Sequence, residues 1–474
     1  MHDDQLSLRQ RLRRLAPCVF LALVLWNLPI PDGLNPVGWQ VFSIFIAVIA
    51  SFIIRPFPVG AMVIFGLVVL MVTKTLTPVE ALAGYADTTV WLVVSAFLIA
   101  GVVIHTGFGR RIALLLVSRL GKSTIGLGYS LCGAELILGP FVPSNTARGG
   151  GIVAPITDSL ARALDSTPEN HPERAGQYLT LVGAHANLIA AAMFLTGMAA
   201  NPLVSRAAMD VFNIEFGWGT WALGALVPGL VGFSLLPLFI FYLAKPTLLQ
   251  TKAAQVEARK ELGEMGAWST GEKVMAAVFI LLLGLWTTKP LHGMSTTLTA
   301  WIGISILLIT QTTNWDRTIK NDKAWDTLIW LGGLLTMANS LKTHGFIDWF
   351  ALAMQGWVAN IDGLTVTIVL ALIYFYSMYA FSMLTAHIAA LIAAFFAVAL
   401  AAGAPALLTI AILAYFSNLC GALTNYSTGP IIVYFGLGYV EPQKWFSTGF
   451  LVGLYHLVIW LTVGLGWWKV LGWW

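Results

Sequence analysis

The sequence predicts an all-α polytopic membrane protein, because of its composition, its long apolar runs and the placing of its basic residues. Hydrophobic residues make up 58% of the 474 residues and charged residues only 10%, whereas soluble proteins carry about 25% charged residues. So apolar a chain could not cover the surface of a soluble fold. At about 20 residues for each membrane-spanning helix, the chain has room for about ten to twelve of them.

Eleven apolar runs are predicted to span the membrane. They cover residues 15–31, 37–54, 58–73, 88–106, 176–200, 219–244, 273–288, 297–311, 325–341, 405–440 and 446–470. Two further apolar stretches, 123–165 and 364–403, are broken by Gly, Pro or polar residues. Loops rich in basic residues lie mostly in the cytoplasm. In this sequence all such loops lie on one side of the membrane only if each broken stretch enters and leaves the membrane on the same side. We therefore predict a cytoplasmic re-entrant hairpin at 123–165, an external one at 364–403, and a multi-pass protein of the inner (plasma) membrane with a cytoplasmic N-terminus.

An internal repeat joins the two broken stretches. The motif Asp-Thr-x-x-Trp-Leu occurs at residues 87–92 and again at 326–331, a spacing of 239 residues. Gly107-Phe108 recurs as Gly345-Phe346, and Thr146 as Thr385, at spacings of 238 and 239 residues. The copies begin on the fourth and ninth spans and therefore cross the membrane in opposite directions. This pattern predicts an inverted-topology repeat, which is the architecture of many secondary transporters.

Helix-breaking residues at the first hairpin mark a candidate binding site. The segment Gly139–Gly151 combines prolines and glycines with Ser144-Asn145-Thr146 and Arg148. Free backbone N–H groups are tolerated at membrane depth only where they face protein or water, and a helix N-terminus at such a break directs its positive end at an anion. The alternative is an ordinary cytoplasmic loop. In the second copy, the matching candidates are Thr385 and His387.

A second break follows each hairpin, at Thr196–Pro202 and at Leu423–Pro430. Each break places Thr, Asn, Gly and Pro inside or at the end of an apolar run, and proline frees a carbonyl from its helical hydrogen bond. The first break could instead be no more than the external end of the fifth span. The candidate binding residues of the two breaks are Thr196, Gly197, Thr424, Asn425, Ser427 and Thr428.

Two basic residues stand beside the tips and indicate the charge of the ligand. Arg148 lies two residues after Thr146, and His387 two residues after Thr385. A charge at membrane depth costs about 2.5–3.5 kcal/mol, and no carboxylate lies close in sequence to either tip. We therefore expect a small di- or tricarboxylate substrate to be the missing partner. The alternatives are a positive-inside anchor for the arginine and an ordinary core histidine for the imidazole.

Fixed positive charges would also bear on the transport mode. An emptied carrier with unpaired cations would have to move that charge through a barrier of low dielectric constant. Substrate would neutralise the charge and permit the crossing. This favours obligatory exchange of one anion for another without sodium.

With these motifs the chain resembles the divalent anion/sodium symporter (DASS) family. Ser144-Asn145-Thr146 matches the first of the family's paired Ser-Asn-Thr signatures, and the second is altered to Met383-Leu384-Thr385. The residues around Thr385 and the two breaks resemble the exchanger branch, which holds citrate/succinate, tartrate/succinate and 2-oxoglutarate/malate antiporters. In relatives of that branch, basic residues at the places of Arg148 and His387 stand in for sodium.

The resemblance implies a homodimeric elevator-type transporter, in which a transport domain moves against a scaffold domain in the lipid bilayer. Spans one to three and seven to eight would form the scaffold, and the hairpins with spans four, five, nine and ten would form the transport domain. The expected segments are 1–87 (scaffold), 88–218 (first transport half), 219–324 (span six, a loop and scaffold spans), 325–440 (second transport half) and 441–474 (span eleven). The charged loop Lys245–Lys273 is either an amphipathic surface helix or a plain linker.

The predicted function is secondary active transport that exchanges di- or tricarboxylates such as succinate, malate, tartrate, citrate or 2-oxoglutarate. The alternative in the same family is a sodium-coupled dicarboxylate symporter, and an anion channel is a further alternative. An enzyme is not expected, because no nucleophile–base pair, paired carboxylates or metal-ligand spacing occurs at span depth. Asp87 and Asp326 are predicted to be helix N-caps.

No cofactor or metal ion is expected. The net charge of +4, with basic residues scattered over loops, excludes nucleic acid as a partner. Cys18, Cys132 and Cys420 lie in apolar surroundings and are predicted to be packing residues.

Overall fold

The computed structural model describes residues 7–358 and 360–474, and the regular elements of this part are helices. Before the repeat come α1 (Leu8–Asn27), α2 (Pro36–Ile54), α3 (Val59–Val72) and α4 (Pro78–Leu82). The first copy contains α5 (Thr88–Thr106), α6 (Phe108–Leu120), α7 (Thr124–Leu138), α8 (Ala154–Arg162), α9 (Gly176–Met193), α10 (Asn201–Phe212) and α11 (Trp218–Ala244). Between the copies lie α12 (Lys252–Glu264), α13 (Thr270–Thr287), α14 (Lys289–His292), α15 (Thr296–Ile309) and α16 (Trp315–Ile319). The second copy contains α17 (Asp322–Thr343), α18 (Phe346–Val358), α19 (Gly363–Ser377), α20 (Leu384–Ala401), α21 (Ala406–Leu419), α22 (Gly429–Gly436), α23 (Pro442–Ile459) and α24 (Leu465–Val470).

The all-α membrane class is confirmed. Within the described residues, eight helical stretches are long and apolar enough to cross a membrane. They are Pro36–Ile54, Thr88–Thr106, Trp218–Ala244, Thr270–Thr287, Gly363–Ala380, Leu384–Ala401, Ala406–Leu423 and Pro442–Val470. Two of these are the limbs of the second hairpin, because length and composition do not separate a re-entrant limb from a span. The number of eleven spans stays a prediction.

Both broken stretches form helical hairpins. In the first, α7 leads to a tip at residues 139–145, and the return limb begins with a π-helical turn at Thr146–Val153 that continues into α8. In the second, α19 leads through a 3₁₀ turn at Met378–Ala380 to α20. A single π-helical turn inside an α-helix occurs often at functional sites. The hairpins thus place irregular backbone where the sequence predicts it.

The two copies repeat the same order of elements and exchange contacts crosswise. A long helix, a shorter helix, a hairpin, a helix, a 3₁₀ break and a further helix follow one another in each copy. The π-helical turn of the first hairpin packs on α22 of the second copy, and α20 of the second hairpin packs on α10 of the first. These reciprocal contacts bring the two hairpins together.

Two glycines with left-handed backbone mark equivalent turns of the repeat. Gly107 ends α5 with φ of 76°, and Gly345 follows α17 with φ of 75°. Only glycine adopts such angles without steric cost, so each long helix can turn sharply into the next helix.

Asp87 caps α5 by accepting a 2.7 Å hydrogen bond from the Thr89 N–H, as predicted. The predicted cap at Asp326 is wrong, because α17 begins earlier, at Asp322.

α5 and α17 pack on each other and on helices outside the hairpins. The expected grouping of spans four and nine with the hairpins stays a prediction. α17 packs on α2 and α3, and α5 packs on α15. The reason lies in Gly332 and Gly333 of α17, where a Cβ would meet Tyr85 and Val63. The missing side chains let α3 and the turn before α5 approach this helix closely.

The loop between the copies is partly helical and docks on the first copy. α12 packs on α6 and α8. The Glu261 carboxylate lies 2.7 Å from the Arg110 guanidinium and accepts a 3.0 Å hydrogen bond from Ser159. Of the two alternatives for this loop, the surface helix is therefore the correct one.

The three cysteines are free and buried, as expected of packing residues.

Candidate functional site

The two hairpin tips meet at the second helix break. The side-chain amide of Asn145 donates a 3.1 Å hydrogen bond to the Thr428 hydroxyl. The backbone N–H of Leu384 donates a 2.9 Å hydrogen bond to the carbonyl of Ser427. The first of these contacts joins residues 283 positions apart in sequence, one from each copy of the repeat.

A cavity of about 210 Å³ opens at this meeting point. Five of the predicted binding residues line it: Ser144, Asn145, Thr146, Thr385 and Thr428. They supply hydroxyl groups and one amide from both tips and from the second break. Sites for drug-sized molecules have about 300–1000 Å³, so this cavity suits a small polar ligand.

Another part of the lining comes from helices outside the hairpins. α17 contributes Lys323, Asp326, Thr327 and Trp330, and α5 contributes Phe97. None of these was predicted as a site residue. The remaining lining residues belong to segments that the sequence did single out: Met198, Ala199, Met383, Leu384 and Gly429.

Arg148 does not line the cavity. Its side chain is fully buried, and its Nε donates a 2.6 Å hydrogen bond to Oε2 of Glu135. We expected the substrate to be the missing partner of this arginine, but Glu135 is its partner in this structure, because the chain reverses at the tip and places the two limbs of the hairpin side by side. The guanidinium therefore offers no free charge to a ligand in this structure.

Backbone carbonyls hold the rest of the guanidinium. Nη1 donates to the carbonyls of Val142 at 2.7 Å and Gly197 at 3.0 Å, and Nη2 donates to that of Asn187 at 3.3 Å. The Asn187 side chain donates in turn to Oε2 of Glu135 at 3.0 Å. The cation is thus enclosed by oxygen atoms that come from the first tip, the first break and α9.

His387 is also buried and absent from the cavity lining. Its Nε2 lies 2.8 Å from the Ser377 hydroxyl and 3.0 Å from the Tyr374 carbonyl. Because a carbonyl can only accept, these contacts place the proton on Nε2. The ring joins the two limbs of the second hairpin and does not line the cavity, so this structure does not place it as a partner of substrate. Its Nδ1 is buried and has no hydrogen-bond partner among the described residues, so the imidazole is not a fully satisfied core histidine either.

Five further candidates do not line the cavity: Thr196, Gly197, Thr424, Asn425 and Ser427. The Thr196 hydroxyl donates to the Pro140 carbonyl at 2.5 Å and accepts from the Trp218 indole at 2.9 Å. The Ser427 hydroxyl donates to the Gly421 carbonyl at 2.7 Å. Both hydroxyl groups donate to carbonyls of irregular backbone, which lack the hydrogen bonds of a regular helix. Thr196 and Ser427 therefore stabilise the backbone around the site without lining the cavity.

Comparison with known proteins identifies the family. The profile described as the sodium:sulfate symporter transmembrane region matches residues 9–474 of the chain. The chain belongs to this family. The predicted DASS resemblance is thereby confirmed.

Several relatives in this family match almost the full chain. The putative malate transporter YflS of Bacillus subtilis (strain 168) is 44% identical over 457 residues, which are 96% of each chain. The chloroplastic dicarboxylate transporter 1 of Arabidopsis thaliana is 38% identical over 467 residues, which cover 98% of this chain and 84% of that protein. The inner membrane protein YbhI of Escherichia coli (strain K12) is 32% identical over 475 residues, with 98% and 99% covered.

Two solved structures share the fold of this family member. The YdaH transporter of Alcanivorax borkumensis has a TM-score of 0.57 at 13% identity, with 98% of this chain and 97% of that chain covered. The MtrF protein of Neisseria gonorrhoeae has a TM-score of 0.55 at 14% identity, with 95% and 96% covered. Similarity at this level of identity concerns the fold alone.

Proposed function

We propose that the protein is a secondary active transporter of small di- or tricarboxylates that works by sodium-independent exchange across the inner (plasma) membrane. Relatives named as malate and dicarboxylate transporters support the substrate class. Succinate, malate, tartrate, citrate and 2-oxoglutarate are the candidate acids. The lipid bilayer surrounds a homodimer in this proposal, as in the family that the motifs resemble.

The chemistry of the cavity supports an anionic substrate. Hydroxyl groups of Thr146, Thr385 and Thr428 can donate hydrogen bonds to carboxylate oxygens. The first residues of α20, Leu384 and Thr385, lie in the lining, so the positive end of this 18-residue helix is directed at the ligand. α17 adds one formal positive charge, Lys323, and one formal negative charge, Asp326, to the lining.

The enclosed guanidinium of Arg148 is the observation that carries sodium independence. Backbone carbonyls and a carboxylate are oxygen ligands that suit hard cations, and here they accept hydrogen bonds from this side chain, while Oε1 of Glu135 has no hydrogen-bond partner among the described residues. A fixed cation cannot leave with the substrate. We infer that the first tip keeps its shape without a mobile ion.

The charge argument for exchange needs revision, since Glu135 neutralises Arg148. In the revised argument, the barrier that opposes movement of the empty carrier is the dehydration of its polar groups. In an empty carrier the hydroxyl and amide groups of both tips would lose water as they pass the aromatic residues Phe97 and Trp330. Each buried polar group without a partner costs about 1–3 kcal/mol. Substrate satisfies these groups, so the loaded carrier crosses more readily than the empty one.

The packing of the helices supports an elevator-type movement. The tips belong to the hairpins, whereas α5 and α17 pack with α2, α3 and α15. We propose that α5 and α17 belong to the static scaffold and that the hairpins move past them with α9, α10, α21 and α22. Substrate then lies between a moving and a static wall.

Uptake of labelled succinate into reconstituted vesicles tests the proposal. We expect uptake into vesicles that are preloaded with succinate or malate, at equal rates in sodium and in choline medium, and no uptake into empty vesicles. Sodium-driven uptake into empty vesicles would instead establish the symporter, which the family description favours. Flux that does not saturate and needs no internal acid would establish a channel.

A further inference from the structure

We propose that Lys323 binds the substrate directly in one of the two transport states only, and that it makes substrate affinity unequal on the two faces of the membrane. The inference rests on the proposed carboxylate transport. It goes beyond that function because it assigns a binding residue on the static wall of the site.

Lys323 is an exposed cation beside the cavity. It lies in the first turn of α17 and lines the cavity together with Thr146 and Thr385. Within residues 7–358 and 360–474, its ammonium group has no carboxylate within ion-pair distance. The Asp326 carboxylate, one turn further along α17, lies close to Gly60 of α3. A Cβ added at Gly60 would be 2.9 Å from Oδ1 of Asp326. A substrate carboxylate can therefore serve as the counter-ion of the lysine.

The lysine and the tips belong to different packing groups. α17 packs on α2, α3 and α5, whereas Thr146 and Thr385 lie on the return limbs of the hairpins. When the hairpins carry the substrate to the opposite face, the lysine stays behind. The contact with the substrate is then present in one state and lost in the other.

The repeat supplies no matching cation on the opposite face. The residue 239 positions before Lys323 is Gly84, which has no side chain. The residue 239 positions before Asp326 is Asp87. The Asp87 carboxylate lies 3.5 Å from the Arg206 guanidinium of α10, so it is already paired. A ligand that contacts an extra charge in one state only must bind the two states unequally.

The cavity lies at the end of α17 that follows the basic loop with Arg317 and Lys320. Basic loops lie on the cytoplasmic side by the positive-inside rule. The lysine therefore strengthens binding from the cytoplasmic face. It also slows release of substrate to that side.

Sided kinetics test this proposal. Right-side-out and everted membrane vesicles would be loaded with succinate, and the half-saturating concentration of labelled succinate would be measured on each face. A charge-assisted hydrogen bond contributes enough that K323Q should raise this concentration about tenfold on the cytoplasmic face. The value on the opposite face should stay as in the wild type.

Two further variants and the salt dependence complete the test. K323R keeps the charge and should restore cytoplasmic affinity. K320Q removes a neighbouring exposed lysine that pairs with Asp316 outside the cavity, and it should behave as the wild type on both faces. Added salt should narrow the gap between wild type and K323Q, because it screens the exposed charge.

Two outcomes would overturn the assignment while leaving dicarboxylate exchange in place. One is an unchanged cytoplasmic value in K323Q. The other is an equal rise on both faces, which would indicate a general effect on folding or mobility. If wild-type vesicles exchange no dicarboxylate, the proposed function itself fails and this inference fails with it.

Discussion

Glu135 and Arg148 face each other across the first hairpin, with Oε2 and Nε 2.6 Å apart and both side chains fully buried. The second hairpin has the same arrangement 239 residues later, where His387 contacts the Tyr374 carbonyl at 3.0 Å. Both pairs are 13 residues apart. The repeat has therefore kept a contact between the two limbs near each tip while its chemistry changed from an ion pair to a neutral hydrogen bond.

Removing one member of the ion pair should be worse than removing both. In R148Q or E135Q the remaining charge is buried without its partner, which costs about 3–5 kcal/mol. We expect a clear fall in the thermal unfolding midpoint and in succinate exchange for each single variant. In the double variant E135Q/R148Q the midpoint should lie above those of both single variants.

A double-mutant cycle on purified protein measures this coupling. Midpoints that fall additively would show that the two side chains do not stabilise each other. A single variant with wild-type midpoint and full exchange would remove the fixed-cation argument for sodium independence.

Gly429 should tolerate no side chain. A Cβ at this position would overlap the Thr146 hydroxyl and displace it from the cavity. We expect G429A to fold but to lose most of its succinate exchange, mainly through a raised half-saturating concentration. The matched control is G436A at the other end of α22, where a Cβ would meet nothing within 4 Å. Equal exchange by the two variants would contradict the placing of Thr146 in the site.

Two ion pairs should hold the present conformation closed at the end of α17 remote from the cavity. Arg206 of α10 lies 3.5 Å from Asp87, and Lys342 of α17 lies 3.7 Å from Asp210 of α10. A partly exposed pair contributes about 0.2–1 kcal/mol, which is up to about a fivefold change in population. We expect R206Q/K342Q to populate the opposite conformation more and to lower the half-saturating succinate concentration on the external face.

The control for this prediction is K320Q, which breaks an exposed pair between Lys320 and Asp316 of α16 and should change the half-saturating concentration on neither face. An external value that stays constant in R206Q/K342Q, or that rises, would refute a closing role for the two pairs.

Adjacent arginines of α6 should differ in their contribution to stability. Arg111 forms a buried pair with Glu272, with side chains 5% and 2% exposed, and also donates to the carbonyls of Met265 and Gly266. Arg110 is 57% exposed and pairs with Glu261. R111A should lower the free energy of unfolding by about 3–5 kcal/mol, and R110A by at most about 1 kcal/mol. Denaturation in detergent measures both, and similar losses would contradict the difference in burial.

The sequence was sufficient to predict the fold class and both hairpins, because apolar runs and helix breakers are local features. It was also sufficient to single out Ser144, Asn145, Thr146 and Thr385, which line one cavity, because helix breakers at membrane depth are a local signal. Their role in binding stays a prediction. The partner of Arg148 could have been predicted too. In a hairpin, residues at similar distances from the tip lie opposite each other, and Glu135 stands four residues before the tip while Arg148 stands three residues after it.

The lining residues that α17 contributes could not be predicted from local sequence patterns. In the sequence alone, Lys323 is typical of a cation in a loop and Asp326 of a helix N-cap. Only the packing of α17 beside the tips places them in the cavity lining. That packing depends on close approach at Gly332 and Gly333, and sequence spacing gives no measure of it. Site residues supplied by a distant helix are therefore the ones that local reasoning misses.

The burial of Cys18, Cys132 and Cys420 has a practical consequence. Their sulfur atoms are sheltered from aqueous reagents, so a fluorophore or spin label attached through maleimide chemistry would react first with a newly introduced surface thiol. Single reporter positions on the hairpins and on α17 can then be followed in the otherwise native chain, and distances between them can be measured during turnover.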